Sequence, residues 1–205
     1  VNVSRSFDFL KPKFDFRFNM SSSLQLSMSA ELDVSQLRFS DFSAAANDRD
    51  ETQDTIAGNP ELEQEQVWRY IANLDYRLPN DGGVLNSRLF YYDVGNSIDR
   101  IDISTSPTNL ASTNGNVGDG KVLGLNLNAS IRLAFLNLPQ VVVTAGLLVQ
   151  DSSIYAPLIG KKRKVVPFDR GNVRFGFRHD IPSQNFNYGL NYRDGIDGNR
   201  PFYDI

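Results

Sequence analysis

The sequence predicts an all-β fold: an antiparallel up-and-down meander of about 8–10 long strands, a partial segment of a transmembrane β-barrel. Three observations predict it. Apolar and polar residues alternate with a period of two along most of the 205 residues, as in strands with two different faces. Several of these runs reach eleven or twelve residues, about twice the usual strand length in globular sheets. Short and long links alternate strictly between them, a pattern typical of outer-membrane barrels.

The first strands begin near the start of the chain. Phe14, Phe16 and Phe18 alternate with polar neighbours, and the same rhythm then continues without a break from Leu24 to Val34. At roughly 3.3 Å per residue, a strand of that length extends about 36 Å, and a tilt near 45° leaves about 25 Å along the membrane normal. That is the height of the apolar band of an outer-membrane barrel.

The later strands repeat the pattern. Alternation returns over residues 68–78, 123–133, 173–177 and 186–192, whereas residues 84–94 and 141–149 are apolar on both parities. Aromatic residues lie near the strand ends, where a membrane barrel has its interfacial girdles. They are Phe14, Trp68, Tyr76, Tyr91, Phe186 and Tyr192.

The links complete the meander. Short links are predicted at 19–23, 79–83, 136–140 and 182–185. Long polar links are predicted at about 35–66, 95–120 and 155–170, and we expect these to be extracellular loops that capture a ligand. The chain is interpreted as one domain, 1–205, and both ends have the look of cuts through a longer protein.

Composition removes several classes of function. Lys and Arg number 21 against 24 Asp and Glu, a net charge of −3, so no overall basic field attracts nucleic acid. The chain has no Cys and a single His, which argues against thiolate chemistry and multi-histidine metal sites. We therefore expect no enzyme activity, no catalytic residue, no metal and no cofactor, and no ligand-binding residue is assigned.

Several local groups of residues suggest a catalytic, calcium-binding or phosphate-binding role. His179 and Asp180 suggest acid–base chemistry, although His179 shares the parity of apolar neighbours and lies beside the Pro182 turn. The acidic clusters lack the spacing of a calcium-binding loop and are interpreted as solvated loop residues. The glycines Gly115, Gly118 and Gly120 are followed by no helix, so a phosphate-binding loop is not supported. The acidic residues are Asp48, Asp50, Glu51 and Asp54, and then Glu61, Glu63 and Glu65.

Charged residues define two further surfaces. The run Lys161–Lys164 suggests contact with lipopolysaccharide phosphates or an anionic ligand, with a solvated loop as the alternative. The polar parity predicts a mixed-charge wall facing the barrel interior. Its members are Arg17, Glu31, Asp33, Arg69, Asp75, Arg77 and Arg132.

Four segments in register resemble TonB-dependent outer-membrane receptors. Gly58–Glu65 resembles the Gly-Asn-Pro-x-Leu-x-Pro-Glu signature of that family, with Gln64 at the usual Pro position. Leu89–Val94 with Ile98 resembles the next strand, and Val122–Leu127 resembles the one after it, with Asn126 replacing Glu. Ser35–Phe42 resembles the extension that leads into the preceding loop.

The resemblance implies a location and a role. It implies a later part of the barrel of a receptor in the outer membrane of a Gram-negative bacterium, without its plug domain and closing strands. Such receptors take up a scarce nutrient, of the siderophore, cobalamin or oligosaccharide class, with energy supplied through TonB. The implied partners are outer-membrane lipid or lipopolysaccharide, the nutrient, the plug and TonB, and open sheet edges imply self-association.

Two other functions fit parts of the pattern. A soluble antiparallel β-sheet module for recognition or adhesion would share the alternation, but its Phe, Leu and Tyr stripe would close a water-excluding core within one chain. An outer-membrane barrel enzyme would need a Ser, a His and an acidic residue that converge at one site, and His179 is the single His in the sequence.

Overall fold

The computed structural model describes residues 8–38, 41, 55–107, 111–156, 160–165 and 170–196, and these residues are nearly all in strands. Two single-turn 3₁₀ helices, Ala134–Leu136 and Pro182–Gln184, occupy turns. Within the described ranges no helix is long and apolar enough to cross a membrane. The strands are β1 (Lys13–Asn19), β2 (Leu24–Val34), β3 (Thr55–Ala57), β4 (Gln66–Leu78), β5 (Gly83–Asp102), β6 (Ala111–Leu133), β7 (Leu138–Ala156), β8 (Lys161–Arg163), β9 (Gly171–Ile181) and β10 (Phe186–Ile196).

All ten strands belong to one sheet, and its main path is β1-β2-β4-β5-β6-β7-β9-β10. Neighbours on this path are antiparallel, so the predicted meander is confirmed. The two short strands lie off the path: β3 pairs in parallel with β6, and β8 pairs with β7. Among the described residues the sheet is not closed, because β1 and β10 each have a neighbour on one side only.

The four short links lie between β1 and β2, β4 and β5, β6 and β7, and β9 and β10, so all lie at one end of the sheet, the turn end. Each is four residues long. Asn80, Asp81, Asn137 and Asn185 have φ between 49° and 61° in these turns. Asn and Asp tolerate this left-handed conformation better than other residues with a side chain. The predicted short links are confirmed, except that the third lies at 134–137 and not at 136–140.

The opposite end of the sheet, the loop end, differs from the predicted boundaries. β5 continues to Asp102 and β6 begins at Ala111, so residues 95–102 and 111–120 are strand rather than loop. β3 and β8 lie within the predicted loops 35–66 and 155–170. One side of these extensions is packed, but its buried positions include the small or polar residues Ser97, Thr113 and Gly115 as well as Val117, so the sequence lacks apolar alternation and resembles a loop.

The apolar parity forms one continuous exposed face, the outer face. Phe16, Met28 and Leu89 are 57%, 50% and 52% exposed. A soluble module would bury this stripe within the chain, so its exposure goes against that alternative and suits a face that meets lipid. One register row crosses six strands through Phe16, Met28, Ala72, Leu89, Leu125 and Val149.

The opposite, inner face contains the predicted charged wall. Arg69 bonds Asp33 at 2.8 Å and approaches Glu31 at 4.0 Å, while Lys13 bonds Glu31 at 3.2 Å. Asp75 accepts a hydrogen bond from Asn86. The part of the wall nearer the loop end is thus internally paired, with both charge signs interspersed.

Glycine shapes the inner face near β9. Arg174 lies across Gly146 and donates to Asn128 Oδ1 at 3.4 Å. A Cβ at position 146 would approach Arg174 Nε to 3.2 Å and Asn128 Oδ1 to 3.3 Å. Gly146 therefore provides space for the Arg174 side chain.

Candidate functional site at the loop end of the sheet

A bulge interrupts the β5–β6 hairpin where it enters the loop end. The register is regular as far as Val94 and Gly120, then shifts so that Ser97 pairs with Gly118 and Ile98 with Asn116. Asn96 has φ 53° and Gly118 has φ 112°, values that Asn and Gly tolerate. Bulges bend a strand and redirect the side chains that follow.

Glu65 fixes the end of the Gly58–Glu65 segment to this bulge. Its Oε2 accepts hydrogen bonds from Ser97 Oγ at 3.1 Å and from the Ile98 amide at 3.3 Å. Its carbonyl accepts from the Ser35 amide at 2.9 Å. The Ile98 backbone N–H at the bulge thus has the Glu65 carboxylate as its acceptor. Hydrogen bonds to a charged acceptor are stronger than those between neutral groups.

Glu63 and Asn116 form a reciprocal pair beside it. The Glu63 amide donates to Asn116 Oδ1 at 2.8 Å, and Asn116 Nδ2 donates to the Glu63 carbonyl at 2.9 Å. The Glu63 carboxylate accepts from Asn96 Nδ2 at 3.1 Å. The carboxylates of Glu63 and Glu65 therefore accept hydrogen bonds from the β5–β6 hairpin. This is a structural role for acidic residues whose clustering in the sequence could also suggest calcium binding.

Asn59 and Leu62 anchor the start of the same segment. Asn59 Nδ2 donates to the Asn114 carbonyl at 3.0 Å, and Asn59 Oδ1 accepts from the Glu61 amide at 3.0 Å. Leu62 is completely buried. Together with the parallel pairing of β3 and β6, these contacts hold the 55–65 segment on the hairpin rather than free in solvent.

The basic run Lys161–Lys164 is divided between two faces. Arg163 points inward, is 8% exposed and forms an ion pair with Asp99 on β5. Burial lowers the pKa of Arg163 below its ordinary value. Lys164 forms an ion pair with Asp151, which belongs to the outward parity of β7. The strand period thus breaks up a run that looks like a single patch in the sequence.

A small apolar cluster lies on the inner face beneath these segments. Ser152 Oγ accepts the Val165 amide at 3.0 Å, which holds Val165 against the sheet. Such a cluster stabilises the loop end by removing apolar surface from water. Its buried members are Phe90, Val117, Val122, Ile154 and Val165, with Ile71, Tyr92, Ile101 and Leu148 packed against them.

The loop end is therefore an ordered platform in which two chain segments are fixed to one long hairpin. The sequence of the chain also matches a known protein family. The family model described as "TonB dependent receptor-like, beta-barrel" matches residues 2–204.

The chain belongs to the TonB-dependent receptor β-barrel family. Members of this family are transport proteins of the outer membrane of Gram-negative bacteria. No curated protein matches the chain in sequence.

Solved structures share the fold at low sequence identity. The FrpB iron transporter of Neisseria meningitidis has a TM-score of 0.62 at 14% identity, over 89% of this chain and 26% of its own. The copper transporter OprC has 0.65 at 13%, over 88% and 25%. The siderophore receptor PirA of Pseudomonas aeruginosa has 0.59 at 12%, over 88% and 34%. This chain of the TonB-dependent receptor family thus spans about a quarter to a third of these proteins.

The histidine that suggested acid–base chemistry lies at the turn end. His179 Nδ1 is 3.0 Å from the Tyr188 hydroxyl on the outer face. Asp180 has the opposite parity and pairs with Arg178 at 2.7 Å. The two residues therefore point to different faces and do not form an acid–base pair.

The glycine string is a packing feature. A Cβ at Gly115 would approach Ile101 Cδ1 to 2.5 Å, and one at Gly120 would meet Val165 Cγ2 at 3.4 Å. Gly115 therefore makes room for Ile101, which packs against the inner-face cluster, whereas a side chain at Gly120 would make only ordinary contact. Asp48, Asp50, Glu51 and Asp54 lie outside the described residues.

Sequence reasoning missed the residues that organise the loop end. Asn96, Asp99 and Asn116 lie within a predicted loop, yet they dock Glu63 and Arg163 onto the sheet. A usable signal was present: Gly and Asn are depleted in regular strands, so their clustering between 95 and 120 marks a bulge as well as a loop.

Proposed function

We propose that this chain is part of a receptor that takes up a scarce nutrient across the outer membrane in an energy-coupled process. The nutrient belongs to the siderophore, cobalamin or oligosaccharide class and is captured at the extracellular loops. The observation that carries the proposal is the ordered loop end, where the 55–65 and 160–165 segments are fixed to the sheet. The sheet belongs to the TonB-dependent receptor β-barrel family. A fixed platform captures a ligand at a lower entropic cost than free loops do.

The structural neighbours, by their descriptions, support a metal-containing nutrient. They are described as an iron transporter, a copper transporter and a siderophore receptor. Among the proposed classes, a metal chelate such as a ferric siderophore is therefore the first to test.

The proposed partners follow from the surfaces. The exposed outer face takes outer-membrane lipid. The paired inner wall, with Arg69 and Glu31 among its charges, faces a plug domain in the complete receptor, and TonB acts through that plug.

The test is nutrient uptake by cells that produce the protein containing this chain. Residues 103–107, in the link between β5 and β6, are replaced by Gly and Ser of equal length, and residues 79–82 are replaced likewise as a matched control at the turn end. We expect loss of uptake of the cognate nutrient from the first variant only, with both proteins present in the membrane at equal amounts. Uptake that survives in the first variant, or that needs no TonB, contradicts the proposal.

A further inference from the structure

The inner face near the turn end carries an unbalanced charge on the strands that follow β2. Within seven residues of a turn, the inner parity of β4, β5, β6, β7, β9 and β10 holds more arginines than carboxylates, and no lysine. The carboxylates are Asp75 and Asp180 on the strands and Asp81 in the β4–β5 turn. We name the six arginines the arginine wall: Arg77, Arg88, Arg132, Arg174, Arg178 and Arg193.

The first two strands do not offset this surplus. Within the same distance of their turn, the inner parity of β1 and β2 has equal numbers of cations and carboxylates. These residues are Lys13 and Arg17 against Asp15 and Glu31. The positive charge is therefore concentrated on β4 to β10.

Most of the arginine wall has no carboxylate partner. Arg178 forms an ion pair with Asp180, whereas no other member takes part in an ion pair within the described ranges. Arg132 donates to a backbone carbonyl and Arg174 to the side chain of Asn128, and both acceptors are neutral. The wall therefore has guanidinium groups available to an anion.

Arg174 and Arg193 place two of these groups opposite each other. They are register partners on β9 and β10, both are exposed, and both have the parity of the inner face. Like charges directly opposite on neighbouring strands destabilise a sheet. An anion between them removes this repulsion. Guanidinium groups suit carboxylate and phosphate in particular, because the planar fork donates to two oxygens at once.

The arginine wall is arranged in steps toward the turn end. Counted along each strand from its turn, its members stand at distances of seven, five, three and one residues. A rigid partner needs matched groups at a single contact, whereas a solute moving along the face meets a new guanidinium group at each step. The steps are Arg174 and Arg193, then Arg88, then Arg178, and then Arg77 with Arg132.

We propose that the arginine wall binds the carboxylate or phosphate groups of an anionic solute and guides the solute along the inner face toward the turn end. The inference rests on the proposed uptake and narrows the nutrient to one that carries several anionic groups. Capture at the loop end and passage along the wall are separate steps, so the wall acts on passage.

The test measures binding of citrate and of pyrophosphate to the full chain in detergent at low salt, by isothermal titration calorimetry. We expect more than one bound probe per chain, and the tighter probe identifies the preferred anionic group. R174Q/R193Q should weaken one of these sites at least about tenfold, because hydrogen bonds to charged groups are lost. R174K/R193K retains the charge without the two-oxygen fork and should lie between the two.

The matched control is R17Q, an exposed inner-face arginine on β1, where the charges already balance. It should bind both probes like the wild type, and uncharged sucrose should bind to none of the proteins. A hexa-aspartate peptide is the probe for an acidic polypeptide partner.

Four results would overturn the inference. They are binding of neither anion, binding at one site only, equal losses in R17Q and R174Q/R193Q, and binding of hexa-aspartate without binding of citrate or pyrophosphate. The last result would assign the wall to a protein partner. The assay involves neither nutrient nor TonB, so it succeeds or fails separately from the proposed uptake.

Discussion

The ring of Phe90 lies directly over Gly124, its register partner on β6. A Cβ at position 124 would come within 2.3 Å of Phe90 Cζ, so the aromatic ring fills the space that a side chain would otherwise occupy. Phe90 is 6% exposed and belongs to the inner-face cluster that supports the loop end. The pair therefore connects the middle of the sheet to the platform above it.

Replacing Gly124 with Ala should destabilise the chain by about 1–3 kcal/mol, because the new methyl group overpacks a filled site. Urea unfolding in detergent measures the change. Gly195 on β10 is the matched control, since a Cβ there meets nothing within 4 Å. Equal effects of Gly124→Ala and Gly195→Ala would show that the ring does not occupy this space in solution.

Replacing Asp99 with Asn should loosen the 160–165 segment by about 1–3 kcal/mol, because it removes the negative charge that pairs with the buried Arg163 guanidinium. Hydrogen exchange of the Val165 amide, which donates to Ser152, reports the opening of that segment. Asp93→Asn, an exposed carboxylate with no ion pair in the described part of the chain, should leave this exchange unchanged. No faster exchange in Asp99→Asn would mean that the ion pair does not hold the segment.

The ion pair of Asp151 and Lys164 should persist from neutral pH into moderately acidic solution. The Lys164 hydrogen bond holds the pKa of Asp151 below its ordinary value of 3.8. A lowered folded-state pKa stabilises the folded form above the unfolded value, and this contribution is lost as the pH falls below 3.8 through the folded value. Carboxyl carbon NMR should show the Asp151 pKa rising toward 3.8 in Lys164→Gln. An unchanged titration in that variant would contradict the assignment.

Met28 and Ser29, consecutive residues near the middle of β2, provide a test of which face meets lipid. Met28→Arg places a cation on the outer face and should cost about 2–4 kcal/mol of folding free energy in vesicles. Ser29→Arg points to the inner face, where Asp15 is its register partner, and should cost much less. Heat-modifiable gel migration and urea unfolding in lipid measure both. Similar costs for the two variants would contradict the orientation of the sheet.

Without detergent, the 205-residue chain should form oligomers. β1 and β10 leave unpaired edges, and the outer face exposes large apolar side chains such as Phe16 and Leu190. Open edges and apolar patches promote association. Light scattering with and without detergent measures the effect, and a stable monomer in plain buffer would argue against exposed edges.

Much of the architecture could be predicted from the sequence because the relevant signals are local. The two-residue period from Leu24 to Val34 places strand and face together, since successive side chains of any strand point to opposite sides. The Asn residues at positions 137 and 185 mark turns through their tolerance of positive φ. The family resemblance in Gly58–Glu65 is likewise a contiguous pattern, and the match over residues 2–204 confirms the family.

Only the tertiary structure decided what the loop end is built from. The contacts of Arg163 with Asp99 and of Glu65 with Ser97 join residues 64 and 32 positions apart, and no local pattern records which of many acidic and basic residues will meet. In the extensions of β5 and β6 the packed side is made partly of Ser97, Thr113 and Gly115, so burial alternates although apolar residues do not. By itself, then, the sequence determined the two faces and the order of the strands. Other features depend on the register between distant strands, which only the folded sheet sets. They are the bulge at Asn96, the division of Lys161–Lys164 between two faces, and the loop-end platform.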